Sequence, residues 1–136
     1  MRKEDLSTVE KEIAPLKDLL TRLRAESKVS IGILFGSLAS GKQHKRSDID
    51  LALYINPFNE KEQIEIIDKI LMTVDRDVSI LRLDDEDESP FVVQEALKGI
   101  HLVEPDINLL YKIAHRVLHE SEELRFRREL IGKHKA

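Results

Sequence analysis

The chain has 136 residues, the size of one compact domain that can bury its own core. Its net charge of −4 and aromatic content of 4% disfavour direct binding of DNA or RNA, because that binding depends on lysine and arginine side chains that neutralise phosphates. It contains no cysteine, which excludes disulfides and Cys-ligated zinc, and no apolar run reaches the roughly 18 residues of a membrane span, so we expect a cytoplasmic protein without membrane contact.

The first element predicted along the chain is an amphipathic helix. Its apolar residues recur at helical spacing, at Val9, Ile13, Leu16, Leu19, Leu20 and Leu23. Ser7 and Glu10 have the form of a capping box at its start. Pro15 lies inside the pattern, so the helix either bends at Pro15 or begins there, and the sequence leaves both open.

Two runs rich in β-branched and apolar residues, 29–35 and 49–55, predict strands of the core. The polar segment between them predicts a loop, or a short helix followed by a turn. A helix is then expected over 59–74, with its apolar face formed by Ile64, Ile67, Ile70, Leu71 and Val74.

The second half predicts a strand over 77–83, a short helix that begins at Ser89-Pro90 and ends near Gly99, and a strand over 100–103. A last helix is expected from Asp106 to about Ile131. Its apolar stripe is Ile107, Leu110, Ile113, Ala114, Val117, Leu118 and Leu124. The order of elements indicates an α/β (α+β) fold, a single domain over 1–136 in which a mixed sheet is flanked by helices.

Asp48 and Asp50 are the first candidate functional residues. Residues two apart in a strand point to the same side, so these carboxylates lie together while Ile49 faces the core. Such a pair either shares a proton or binds a hard cation such as Mg²⁺. If the strand that begins at Asp77 is a neighbour, a third carboxylate converges, and two Mg²⁺ ions could then catalyse displacement at phosphorus. Asp75 is the alternative candidate for this third carboxylate.

Gly36-Ser37 directly follows the first strand and predicts a phosphate-binding turn, because glycine permits close backbone approach and the Ser37 hydroxyl can donate a hydrogen bond. Residues 36–42 also match most of a P-loop. Gln43 stands where that motif needs Ser or Thr for Mg²⁺, which disfavours a P-loop ATPase.

The order Gly36-Ser37, ten residues, Asp48-Ile49-Asp50 resembles the signature of polymerase β-type nucleotidyltransferases. The surrounding residues are similar to the minimal nucleotidyltransferases, including MntA-type antitoxins that accompany HEPN toxins. This resemblance implies that Asp48, Asp50 and Asp77 bind two Mg²⁺ ions, and that Gly36 and Ser37 contact the phosphates of ATP. Many relatives have arginine where this chain has Ser40, so Lys42, Lys45 or Arg46 is a candidate replacement.

The resemblance implies transfer of AMP from ATP to a hydroxyl, expected to be a tyrosine hydroxyl, of a partner HEPN toxin, and hence an antitoxin that forms a hetero-oligomer with it. Two alternatives stay open: transfer to a small molecule such as an antibiotic, and inhibition of the toxin by binding alone. The helix over 106–131, with Arg125, Arg127 and Arg128, is either a solvated surface or a partner interface. We interpret the acidic run 84–88 as a solvated loop, and His115 and His119 as surface residues rather than zinc ligands.

Overall fold

The computed structural model describes residues 3–36, 48–57 and 59–134, with side chains over 10–36, 48–57 and 59–130. Four helices and four strands lie within these ranges. They are α1 (Lys3–Ala25), β1 (Val29–Phe35), β2 (Ile49–Ile55), α2 (Glu60–Leu71), β3 (Val78–Arg82), α3 (Pro90–Leu97), β4 (Ile100–His101) and α4 (Ile107–His134).

The four strands form one mixed sheet in the order β3-β2-β1-β4, which confirms the predicted sheet type. β1 pairs antiparallel with β2, so that Phe35 lies opposite Asp50. β2 pairs parallel with β3, and β1 pairs antiparallel with β4. As a result, β1 ends at the same edge of the sheet at which the other three strands begin; we call it the Gly36 edge.

Helices cover both faces of this sheet. On one face α1 and α2 bury a core that includes Leu16, Leu20, Leu51, Leu53, Ile66 and Ile70. On the other face α3 and α4 bury a second core that includes Ile31, Ile33, Ala52, Leu83, Val93, Ile113 and Val117. Each fully buried aliphatic side chain contributes about 1.5–3 kcal/mol, so both layers stabilise the sheet that carries the site.

Helix α1 begins at Lys3 and continues through Pro15, which settles the alternative that the sequence left open. Ser7 therefore lies inside the helix, and its prediction as the capping residue is wrong. Leu16, Leu20 and Leu23 are buried as expected. The leucines after Pro15 pack on the sheet, which holds the helix although proline removes a backbone donor.

The apolar faces of α2 and α4 agree with prediction in part, since Ile67 of α2 and Leu110 of α4 pack against the cores as expected. In α2 the buried residues are Ile66 and Ile70, whereas Ile64 is 50% exposed. In α4 Ile113 and Val117 are buried but Leu118 is 50% exposed. Because apolar residues occupy adjacent positions in both helices, periodicity alone does not select which of two faces meets the sheet.

Several element ends differ from prediction by a few residues. α2 is shorter than 59–74, and the Asn59 side chain accepts hydrogen bonds from two backbone N–H groups at its start. β3 and β4 are each shorter than their apolar runs, while α4 extends beyond 131. Over the ranges described above, none of the helices is both long and apolar enough to cross a membrane.

Gly99 allows β4 to approach β1, and its replacement tests how closely they must pack. A Cβ there would overlap the carbonyl oxygen of Leu34 and lie 2.9 Å from Cγ2 of Ile33. We expect Gly99→Ala to lower the free energy of unfolding by about 1–3 kcal/mol in urea denaturation. Gly32→Ala is the control, because the nearest atom to its Cβ would be Cδ1 of Leu20 at 3.3 Å, a side-chain atom rather than a backbone oxygen. Equal losses in the two variants would contradict this account.

Candidate functional site

Asp48 and Asp50 lie at the start of β2, at the Gly36 edge. Ile49 and Leu51 are fully buried in the core beneath α1 and α2, so alternation along the strand directs Asp48 and Asp50 to the opposite face. Asp48 is exposed and Asp50 is partly buried. The predicted pairing of these carboxylates on one side of a strand is therefore what the structure contains.

The pKa of Asp50 is raised above its ordinary value, first by burial of the carboxyl group and then by the negative charge of Asp48. Both effects oppose ionisation of Asp50 in the protein without a cation. A divalent cation held between the two carboxylates would reverse the second effect. Their oxygens are the ligands that Mg²⁺ prefers, so this pair fits the metal that the sequence implied.

Gly36 is constrained by its contact with Asp50 as well as by its own backbone conformation. Its φ is +76°, in the left-handed region that favours glycine. A Cβ at Gly36 would overlap Oδ2 of Asp50 and lie 3.0 Å from its Cγ. The Asp50 carboxylate thus occupies the space that a side chain at position 36 would need, a contact that the motif alone did not reveal.

Asp77 lies beside Asp48 across neighbouring strands. Ile49 and Val78 are partners in the parallel pairing, so Asp48 and Asp77 each stand one residue before a paired position. The Ile49 N–H donates to the carbonyl oxygen of Asp77 at 2.8 Å. Because Val78 packs against the α1 and α2 core, alternation directs Asp77 to the face that carries Asp50.

Asp75, the alternative third carboxylate, lies elsewhere. It lines a cavity of about 240 Å³ with Pro15 and Ile49, between α1 and the segment that precedes β3. Ile49 faces the core on that side of the sheet, away from the face to which Asp50 points. This placement favours Asp77 over Asp75 as the third acidic residue.

The structure brings Asp48 and Asp50 together, and the register between β2 and β3 places Asp77 beside Asp48. In the described part of the chain, however, no three His, Cys, Asp or Glu side chains are grouped so that they could hold a metal ion. Convergence of three carboxylates thus stays a prediction. Ser37 and the candidate phosphate ligands Lys42, Lys45 and Arg46 lie outside the described residues.

Ser79 is a candidate that sequence reasoning missed. It is exposed and lies opposite Asp50 in the pairing of β2 with β3. The signal was present, since Asp77-Val78-Ser79 repeats the alternation of polar and apolar residues seen in Asp48-Ile49-Asp50. A hydroxyl at this position can donate a hydrogen bond at the site.

The acidic run 84–88 is only partly the solvated loop that we expected. Arg82 donates two hydrogen bonds to Asp84, at 2.9 and 2.6 Å, and Arg116 lies 3.8 Å from Glu86. These contacts fasten the run to β3 and α4. His115 and His119 are exposed on α4, as expected.

Comparison with protein families gives a match to the family described as polymerase beta nucleotidyltransferase, over residues 17–108. The matched region covers more than half of the chain and contains the whole sheet. It starts within α1 and ends at the beginning of α4. No protein among those with curated descriptions matches the chain.

Several solved structures share the fold. A toxin–antitoxin structure with AMP-PNP is 22% identical, covers 86% of this chain and 95% of its own, and has a TM-score of 0.64. The toxin–antitoxin MntA–HepT is 20% identical, with coverages of 88% and 95% and a TM-score of 0.60. The structure of a tri-AMPylated Shewanella oneidensis HEPN toxin in complex with MNT antitoxin is 19% identical. It has coverages of 87% and 93% and a TM-score of 0.59. At such identities the likeness establishes the fold alone.

The raised pKa of Asp50 makes a prediction about stability. A carboxyl group that holds its proton more tightly when folded stabilises the fold below the unfolded pKa, and that contribution is lost as pH rises through the folded pKa. We therefore expect Asp50→Asn to raise the Tm at pH 7 without divalent cations. The gain should shrink as the pH falls through the raised pKa of Asp50 in the folded protein, and should be absent below the unfolded pKa of about 4. Differential scanning calorimetry across pH measures this, with Asp75→Asn as the control. A gain that grew on acidification would refute the assignment.

Proposed function

Since this chain belongs to the polymerase β family of nucleotidyltransferases, we propose that it transfers AMP from ATP to a hydroxyl group in a Mg²⁺-dependent reaction that releases pyrophosphate. The observation that carries this proposal is the Asp48 and Asp50 pair, held at the Gly36 edge with the carboxylate of Asp50 against the backbone of Gly36. That arrangement presents two oxygen ligands beside Gly36, whose backbone a phosphate can approach closely.

The proposal gives each residue a role. Asp48 and Asp50 hold Mg²⁺, with Asp77 as the third ligand, and Gly36 and Ser37 contact the phosphates of ATP. When bound, the metal would supply positive charge that neutralises the phosphate oxygens and acidifies the acceptor hydroxyl. The acceptor oxygen bonds to the α-phosphorus, the bond to the bridging oxygen breaks, and pyrophosphate departs with its electron pair. The hydroxyl proton leaves to a neighbouring carboxylate or to water.

We expect the acceptor to be a tyrosine hydroxyl of a HEPN toxin. The solved structures with this fold include antitoxins bound to such toxins, one of them with the toxin AMPylated and one with an ATP analogue. Asp48 is exposed, which suits a site that must meet a macromolecular hydroxyl. ATP and the toxin would be encountered in the cytoplasm, so that this chain would act there as an antitoxin.

The second half of α4 is the surface that we assign to this partner. The family match ends at residue 108, so nearly all of α4 lies beyond it. Residues 122–130 are all exposed, and Phe126 and Leu130, four apart on one side of the helix, are 60% and 43% exposed. A helix that presents apolar residues at this spacing suits a groove on another protein, which supports a hetero-oligomer.

A second function, inhibition of the toxin by binding alone, is favoured by one observation. Among the described residues the carboxylates do not gather into a group of three. A weak metal site would leave the contact through α4 as the means of inhibition. The two functions differ in whether the toxin stays inhibited after the proteins separate.

The test is incubation of the chain with labelled ATP, Mg²⁺ and its partner toxin, followed by separation and mass spectrometry of both proteins. The toxin should gain the mass of one or more adenylyl groups and stay inactive as a ribonuclease after the chain is removed. Asp48→Asn should abolish the transfer and keep the circular dichroism spectrum, because it removes a ligand charge from an exposed position. An unmodified toxin that regains activity on separation would leave binding as the mechanism.

A paired substitution tests the third carboxylate. Loss of a metal ligand removes several kcal/mol of transition-state stabilisation, so we expect Asp77→Ala to lower the transfer rate by at least about 100-fold. ATP binding should weaken less. Asp75→Ala, on the other side of the sheet, should keep the rate within about threefold, because it leaves the metal ligands in place. Comparable losses in both variants, or a loss in Asp75→Ala alone, would overturn the assignment.

A further inference from the structure

The segment between α2 and β3, residues 72–77, carries the candidate third carboxylate at its last position. Its first part is fastened to α2, where the Thr73 hydroxyl donates to the carbonyl oxygen of Ile70 at 2.7 Å. Its last part is fastened to β2 by the hydrogen bond between the Ile49 N–H and Asp77. The backbone path through Val74, Asp75 and Arg76, between these two points, influences the position of Asp77.

Val74 of this segment packs against the core that α1 and α2 bury, but the segment does not fill the whole space beside α1. A cavity of about 240 Å³ separates them, lined by Glu12 and Pro15 on the helix side and by residues 73–76 on the other. Where the cavity lies, the segment and the helix do not pack directly against each other. A contact that spans the gap has a correspondingly larger influence on the position of the segment.

Arg76 and Glu12 provide such a contact. The Arg76 Nε donates to Oε2 of Glu12 at 2.6 Å, and Nη2 donates to Oε1 at 3.2 Å. The Arg76 side chain is 19% exposed and that of Glu12 is 40% exposed. Two parallel charge-assisted bonds fix both distance and orientation, unlike the single contact of most surface ion pairs.

We infer that the Glu12–Arg76 ion pair positions Asp77 for catalysis. Arg76 directly precedes Asp77, so fixing its side chain on α1 limits how far the backbone of Asp77 can shift at the Gly36 edge. Catalytic ligands must be held to within about 0.5 Å, and a displacement of about 1 Å costs up to roughly 100-fold in rate. Glu12 lies before residue 17, outside the region shared with the family. The inference rests on the proposed function, in which Asp77 is a metal ligand.

The test compares Glu12→Gln with Glu10→Gln, an exposed glutamate on the same helix. Glutamine keeps the size of the side chain and removes the negative charge that pairs with the guanidinium of Arg76. We expect Glu12→Gln to lower kcat by about tenfold, with KM for ATP within about twofold and Tm within a few degrees of the parent. Glu10→Gln should match the parent in all three. A kcat equal to that of the control, or a loss confined to Tm, would overturn the inference.

A second readout does not depend on turnover. Mn²⁺ binding in the presence of a non-hydrolysable ATP analogue, followed by electron paramagnetic resonance, should weaken several-fold in Glu12→Gln but not in Glu10→Gln. In the Asp77→Ala protein, Glu12→Gln should cause no further loss, because the two changes act through the same ligand. A further loss in that background would show that Glu12 acts elsewhere. If the parent binds Mn²⁺ but transfers no AMP, the proposed function fails while this comparison still decides the role of Glu12.

Discussion

The antiparallel pairing of β1 with β2 is the constraint on which the site depends. It places Phe35 opposite Asp50, so Gly36 and the carboxylates at the start of β2 share one edge of the sheet. The parallel pairing of β2 with β3 brings the acidic and hydroxyl side chains of the next strand to the same edge. The apolar residues that alternate with these polar ones anchor the strands in the core. The packing that stabilises the fold therefore also sets the direction in which the polar side chains of the site point.

Much of the fold could be predicted from the sequence, because the strands of the core are runs rich in apolar and β-branched residues. β1 and β2 have the bounds that their apolar runs predicted, and the alternation around Asp48 and Asp50 gave the direction of both side chains. The sequence did not show whether β3 pairs with β2. Strand order depends on contacts distant in the chain, which local periodicity does not encode.

The parts that the sequence did not predict share one physical cause, which is that they depend on tertiary neighbours. In α2, the burial of Ile66 instead of Ile64 depends on which side of the helix meets the sheet. Asp75 and Asp77 differ by two positions and look equivalent in the sequence, whereas the structure associates Asp75 with a cavity beside α1. The ion pair between Glu12 and Arg76 joins residues that are 64 positions apart, so no local sequence pattern predicts it.

The close contact between Gly36 and Asp50 has a consequence for how this sequence can diverge. While the carboxylate of Asp50 rests where a Cβ at position 36 would be, any other residue at that position is excluded by a collision as well as by its backbone geometry. A descendant that exchanged Asp50 for a smaller residue would be released from the collision and retain only the milder backbone penalty. Position 36 would then be free to drift, most readily to asparagine or aspartate, which tolerate a positive φ better than other side chains. Homologues that have abandoned catalysis should therefore show paired changes at these two positions, whereas catalytic lineages keep both residues fixed.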